Sequence, residues 1–145
     1  MILPDVNVLV YSYREEAPHH ETYRSWLDAM LVSAEEIALT EIVLIGFFRI
    51  VTSPRVFAIP APASSALEFV DRLRNSPRAR AVTATAATWK RFADLARGDH
   101  QIRANLVPDA WLAAIALSHG FRVATADRGF SRYPGLGLVD PLVAT

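Results

Sequence analysis

Cysteine is absent from the 145-residue chain. With it go disulfides, thiolate zinc sites, iron-sulfur clusters and cysteine nucleophiles, and a reducing compartment is compatible with what remains. Charge of one sign is also lacking, since fifteen cationic side chains face fifteen carboxylates. No global field draws in a polyanion, so a nucleic-acid partner must be held by a local patch or by metal ions. Lysine is nearly missing: Lys90 is the single one among the cations, and the rest are arginine. That bias suits bidentate phosphate contacts, and a GC-rich coding sequence also produces it. Long apolar runs are missing as well. The most apolar stretch, Ile42 to Phe48, is bracketed by Glu41 and Arg49 and falls far short of the ~20 residues that cross a bilayer. The opening Met-Ile-Leu-Pro-Asp lacks the positive charge and unbroken apolar stretch of a signal peptide. The expectation is a soluble cytoplasmic protein with no membrane partner.

What is present is 52% hydrophobic residues in 16.0 kDa, enough to build one core without staples, so a single domain over residues 1–145 is expected. The apolar Ile2 to Val6 reads as a buried strand ending at Asp5 to Asn7, followed by a short helix through Tyr13. Pro18 and His19-His20 start a second helix, with Tyr23, Trp26, Leu27, Met30 and Leu31 as its core stripe. Ile37–Leu39 reads as a strand, and Thr40 as the cap of a helix from Glu41 to about Thr52, stopped by Ser53-Pro54. Ser65 and Glu68 have the spacing of a capping box, ahead of the apolar face Ala66, Phe69, Val70 and Leu73. A strand near Ala81-Val82 precedes a helix bearing Trp89 and Phe92, with Gly98 placed as its cap. Pro108 opens a helix from Asp109 to His119, closed by Gly120; strands at Phe121 to Thr125 and Leu138-Val139 complete the chain. This alternation predicts a three-layer α/β/α domain with a mostly parallel central sheet.

In such a sheet the site lies beyond the carboxyl ends of the strands. Four acids sit there: Asp5, Glu41, Asp109 and Asp127. Glu41 and Asp109 also stand where a carboxylate meets a helix dipole favourably, a structural role worth about 0.3–1 kcal/mol. Asp5 and Asp127 lie in or against apolar strands, where an unpaired carboxylate is costly unless something cationic compensates it. The supporting groups nearest in sequence are Asn7, Asn105 and Thr125, all oxygen or amide. An all-oxygen set suits Mg²⁺, with Mn²⁺ as substitute. Two such ions offset four carboxylates and clamp the attacking and leaving oxygens of an in-line phosphoryl displacement. Arg103, Arg128 and Arg132 flank Asp109 and Asp127 and are candidate phosphate contacts.

The segments Asp5-Val-Asn7, Thr40-Glu41 with Gly46-Phe-Phe-Arg-Ile-Val-Thr-Ser-Pro-Arg, Asn105-Leu-Val-Pro-Asp109 and Thr125-Ala-Asp127-Arg-Gly-Phe resemble the ordered motifs of PIN-domain ribonucleases. More narrowly, they resemble the VapC toxins of toxin-antitoxin pairs, across nearly the whole chain. The resemblance implies that Asp5, Glu41, Asp109 and Asp127 are an acidic quartet holding Mg²⁺ for catalysis. It also implies an endoribonuclease acting as a toxin on a structured RNA, either a transfer RNA or a ribosomal RNA loop, and restrained by a small antitoxin. The family often carries a further acid two residues after the last Asp, where this chain has Gly129.

Two other functions fit parts of the pattern: a PIN-like RNA-binding module without catalysis, and a phosphoaspartyl phosphatase-like enzyme. The second usually has an Asp two positions after the first, where Asn7 stands. His19, His20, His100 and His119 read as surface or helix-end groups. Trp26 and Trp89 read as core, and Trp111 is open to either role. A mean hydropathy of +0.20 leaves apolar surface for a homodimer and an antitoxin groove.

Overall fold

The computed structural model describes residues 1–143; Ala144 and Thr145, part of the domain expected over 1–145, lie outside the described residues. Five short parallel strands form one sheet in the order β3-β2-β1-β4-β5. They are β1 (Ile2–Pro4), β2 (Ile37–Leu39), β3 (Ala79–Ala81), β4 (Arg122–Ala124) and β5 (Leu138–Val139). Six helices flank them: α1 (Val6–Tyr13), α2 (His20–Val32), α3 (Glu41–Val51), α4 (Ala63–Arg74), α5 (Ala86–Gly98) and α6 (Val107–His119). The result is the expected three-layer α/β/α arrangement with a parallel sheet. No helix among the described residues is long and apolar enough to cross a membrane.

The central strand is anchored unequally on its two sides. Toward β4 the register runs over three pairs, Ile2 with Arg122, Leu3 with Val123 and Pro4 with Ala124. Toward β2 it holds only Ile2 with Ile37, because Pro4 has no N–H to extend the ladder. Helices α1 to α4 pack in succession through α1–α2, α1–α3 and α3–α4, while α5 and α6 form their own pair. Tyr13, Phe47 and Phe69 knit α1, α3 and α4 together, with ring centroids 4.9–5.4 Å apart. Gly46 lets α3 lie close on α1, for a Cβ there would stand 3.0 Å from a Val6 methyl. Helix α6 is buried along Ala110 and Leu112–Ala116 and ends at Gly120 in the left-handed region, as its sequence predicts.

Three local expectations change. Helix α4 begins at Ala63 after Pro62, so Ser65 lies inside the helix and makes no capping box with Glu68. Pro62, fixed near φ −61°, already sets the chain for helix entry. The box occurs instead at α5, where the Thr85 and Thr88 side chains satisfy each other's backbone N–H groups. Gly98 is the last residue of α5, and the extended Asp99 follows it, so no left-handed cap forms there. Trp89 is 63% exposed and lies over Phe92 and against the edge of Trp111, outside the core.

Candidate active site

The sheet order reverses direction between β1 and β4, and the carboxyl ends of these two strands open onto the site. Asp5 follows β1 and caps α1: its Oδ1 accepts the Val6 N–H at 2.7 Å. Its Oδ2 accepts the Thr125 hydroxyl at 2.8 Å. Thr125 follows β4, and its Oγ1 in turn accepts the Asp127 N–H at 3.0 Å. One hydroxyl thereby couples both strand ends. Asn7 adds a second tie, its Oδ1 accepting the Ala126 N–H at 3.3 Å.

Asp127 caps the 3₁₀ turn at Arg128–Arg132, its Oδ1 accepting the Gly129 N–H at 2.7 Å. A Cβ at position 129 would stand 2.9 Å from that oxygen, so glycine there belongs to the geometry of the cap. Asp109 enters from the first turn of α6. Burial raises its carboxyl to about 6, with Asp5 and then Asp127 adding repulsion. Asp5 is raised as well, burial outweighing the Thr125 and Val6 hydrogen bonds that favour its charge.

Asp5, Asn7, Asp109 and Asp127 line one hollow of about 480 Å³, walled on its apolar side by Tyr11 and Phe57. A second hollow of about 560 Å³ shares Asp5 and Asp109 and contains Asn105 and Arg49. Three of the four expected acids are therefore brought together. Glu41 is not: it is exposed at the start of α3 and lines a neighbouring hollow with Arg74, joined to the second through Ile45. Among the described residues, no three acidic or imidazole groups stand close enough to grip one ion as the side chains lie.

The expected phosphate-binding arginines fare differently. Arg103 and Arg128 are exposed and line neither hollow. Arg132 is already engaged, with Nε 3.2 Å from Asp99 and Nη2 donating to Gln101 at 2.6 Å. Sequence reasoning missed Arg49, which the periodicity of α3 could have placed one turn beyond Gly46 on the same face. It also missed Tyr133, buried against Phe130, whose hydroxyl has no partner among the described residues. Burial and the nearby Asp109 push that hydroxyl up to about 12.

The sequence pattern of the PIN domain matches residues 2–136. The chain belongs to the PIN-domain family. Ribonuclease VapC43 of Mycobacterium tuberculosis is 38% identical over 98% of this chain and 96% of its own. Ribonuclease VapC25 of the same organism is 31% identical over 97% of this chain and 99% of its own. A crystal structure of VapBC2 from Rickettsia felis, bound to a DNA fragment from its promoter, superposes with a TM-score of 0.70. It covers 96% of this chain and 98% of the other at 19% identity, a likeness of fold. In this PIN domain the acidic hollow lies beyond the carboxyl ends of β1 and β4, where the sheet order changes direction.

Proposed function

We propose that this PIN domain is a Mg²⁺-dependent endoribonuclease of the VapC kind, the toxin of a toxin-antitoxin pair, which cuts structured RNA of the transfer or ribosomal class. The observation that carries the reading is the convergence of Asp5, Asp109 and Asp127 on one hollow with no cation in its lining. Carboxylates packed this way hold protons more tightly than usual, as Asp109 does, and a divalent ion relieves that deficit of positive charge. The donor set is all oxygen, which fits Mg²⁺ or Mn²⁺. Asp5, Asp109 and Asp127 would hold the ion, and Glu41, in the adjoining hollow, is the fourth acid of the set that the family resemblance implies. The chemistry supplied by such an ion is a lowered pKa for the attacking water and charge to offset that building on the phosphoryl oxygens.

The chain's own residues do the rest. Thr125 fixes the Asp5 carboxylate and the Asp127 backbone in one frame. The Gly129 N–H fixes one Asp127 oxygen at the edge of the hollow that this residue lines. Asn7 and Asn105 place amides on either side of the carboxylates, suited to sugar or phosphate oxygens. No side-chain nucleophile is needed, and the buried Ser12 is occupied by the carbonyls of Val8 and Tyr23. The antitoxin would block this charge-deficient hollow by inserting a cationic side chain such as arginine. Exposed apolar side chains, Ile45 at 69% among them, supply surface for a second copy of the chain.

The test is cleavage of total bacterial RNA by the purified chain in Mg²⁺, in Mn²⁺ and in EDTA. Cleavage is expected with either ion and is lost in EDTA and in Asp5→Asn. Undiminished cleavage in EDTA would refute the metal role. RNA binding with no cleavage under any condition would make the protein a binding module.

A further inference from the structure

Two hollows meet at the same pair of carboxylates, and their contents differ. Both are lined by Asp5 and Asp109. The first has no cationic side chain, and the second has one, Arg49. Arg49 lies on the last turn of α3. A basic residue at a helix end is favoured by the helix dipole, which explains a cation somewhere on that turn. It does not explain why this one faces the site. Arg49 shares a hollow with two aspartates and yet makes no ion pair with either, nor with any other carboxylate among the described residues. Arg49 is exposed and lines the hollow without being neutralised there. Gly46, one turn earlier on the same face, lines the same hollow and brings α3 close against Val6 of α1.

Resting on the ribonuclease reading above, we propose that Arg49 holds a backbone phosphate of the RNA beside the one that is cut. The strand would then cross the junction of the two hollows, its scissile phosphate at Asp5 and Asp109 and its neighbouring phosphate in the hollow between α3 and α6. A planar guanidinium with no internal partner binds a phosphate through two parallel N–H donors. The carboxylates repel that same phosphate, so strand placement depends on a cation offset from them. Arg49 is a binding residue, separate from the groups that hold the ion.

The experiment is single-turnover cleavage of total bacterial RNA in Mg²⁺, with enzyme titrated at several salt concentrations to give a maximal rate and a half-saturating concentration. Arg49→Ala and Arg49→Gln are expected to raise the half-saturating concentration roughly tenfold, in keeping with loss of a charge-assisted contact. The slope of log affinity against log salt should fall by about 0.7, the value for one phosphate contact on a single strand. Arg49→Lys should recover the slope. Arg91→Ala, an exposed arginine on α5 outside both hollows, should leave slope and half-saturation unchanged. Wild-type values in both Arg49 variants, confirmed folded by circular dichroism, would overturn the assignment while leaving the ribonuclease intact. Equal losses in Arg49→Ala and Arg91→Ala would overturn it too, reducing the effect to general charge. A wild-type chain that does not cut RNA in Mg²⁺ would overturn the ribonuclease reading itself.

Discussion

Replacing Asp109 by Asn should make the metal-free protein more stable, an unusual outcome for a change at a half-buried polar site. The folded carboxyl is raised from its ordinary 3.8 to about 6, so the folded chain binds this proton more tightly than the unfolded chain does. Stability from that preference is full below about pH 4 and is lost as pH rises to about 6. At pH 7 the wild type carries the entire penalty of an ionised Asp109 among carboxylates. The rise corresponds to about 3 kcal/mol at most, and partial exposure to solvent reduces it to about 1–2 kcal/mol. The amide forgoes the helix-start charge, which costs about 0.3–1 kcal/mol. A net gain of about 1 kcal/mol remains, or roughly 2–4 °C in a chain of this length. Thermal unfolding followed by circular dichroism in EDTA, from pH 4 to pH 7, reads it directly. The gap between variant and wild type should open between pH 4 and 6 and then stay level. Millimolar Mg²⁺ should raise the wild-type melting temperature by binding the folded state, and raise the variant's less. A variant less stable than wild type in EDTA at pH 7, with the whole Mg²⁺ increment retained, would show that Asp109 is only a helix-start acid.

Glu41→Gln should behave in the opposite sense: its exposed side chain faces another hollow, so the metal-free melting temperature should hold while cleavage of total RNA falls on the order of 100-fold. Unchanged cleavage would remove Glu41 from the ion-holding set. Thr125→Val leaves Asp5 Oδ2 and the Asp127 N–H without their shared partner, and chemical denaturation should register a loss of about 1–3 kcal/mol that Thr125→Ser largely restores. Gly129→Ala should displace the Asp127 carboxylate and shrink the melting-temperature rise produced by Mg²⁺; an unaltered rise would mean that Asp127 contributes no ligand.

The features legible in the sequence were those carried by period and punctuation. Ile37–Leu39 and Leu138–Val139 are short apolar runs between breakers, and both are strands with the expected bounds. Ala66, Phe69, Val70 and Leu73 recur at helical spacing and are all buried on α4. Gly120 follows the last apolar turn of α6 and adopts the left-handed cap. What the sequence hid were choices between equivalent local signals. Ser65–Glu68 matches the capping-box spacing, but the fixed φ of Pro62 had already started the helix. Trp89 sits on an apolar stripe, but that stripe faces the rim of the α5–α6 pair, where a large ring finds Phe92 and Trp111 on one side and solvent on the other. At the site, strand ends placed Asp5 and Asp127, and a helix start placed Asp109. The direction of the Glu41 side chain was beyond such reasoning, because the first residue of a helix has a wide choice of rotamers. Arg132 was hidden for another reason: its partners, Asp99 and Gln101, reach it from across the fold.

The hydrogen bond from Thr125 to Asp5 spans 120 positions of the chain. A polypeptide leaves the ribosome from its N-terminus, so β1, α1, β2 and α3 are available long before the strand that completes the site. Asp5 waits, without its hydroxyl partner, for β4 to emerge and dock beside β1. A chain released before Thr125 contains the first carboxylate and lacks the frame that holds it. Pairing between such distant segments is also the slow kind, because its loop-closure entropy is lost before any contact repays it. Competence for chemistry is therefore acquired at the end of synthesis, after nearly all of the core has been made. The same topology makes the β1–β4 seam, with its three register pairs, the contact on which the frame around Asp5 depends.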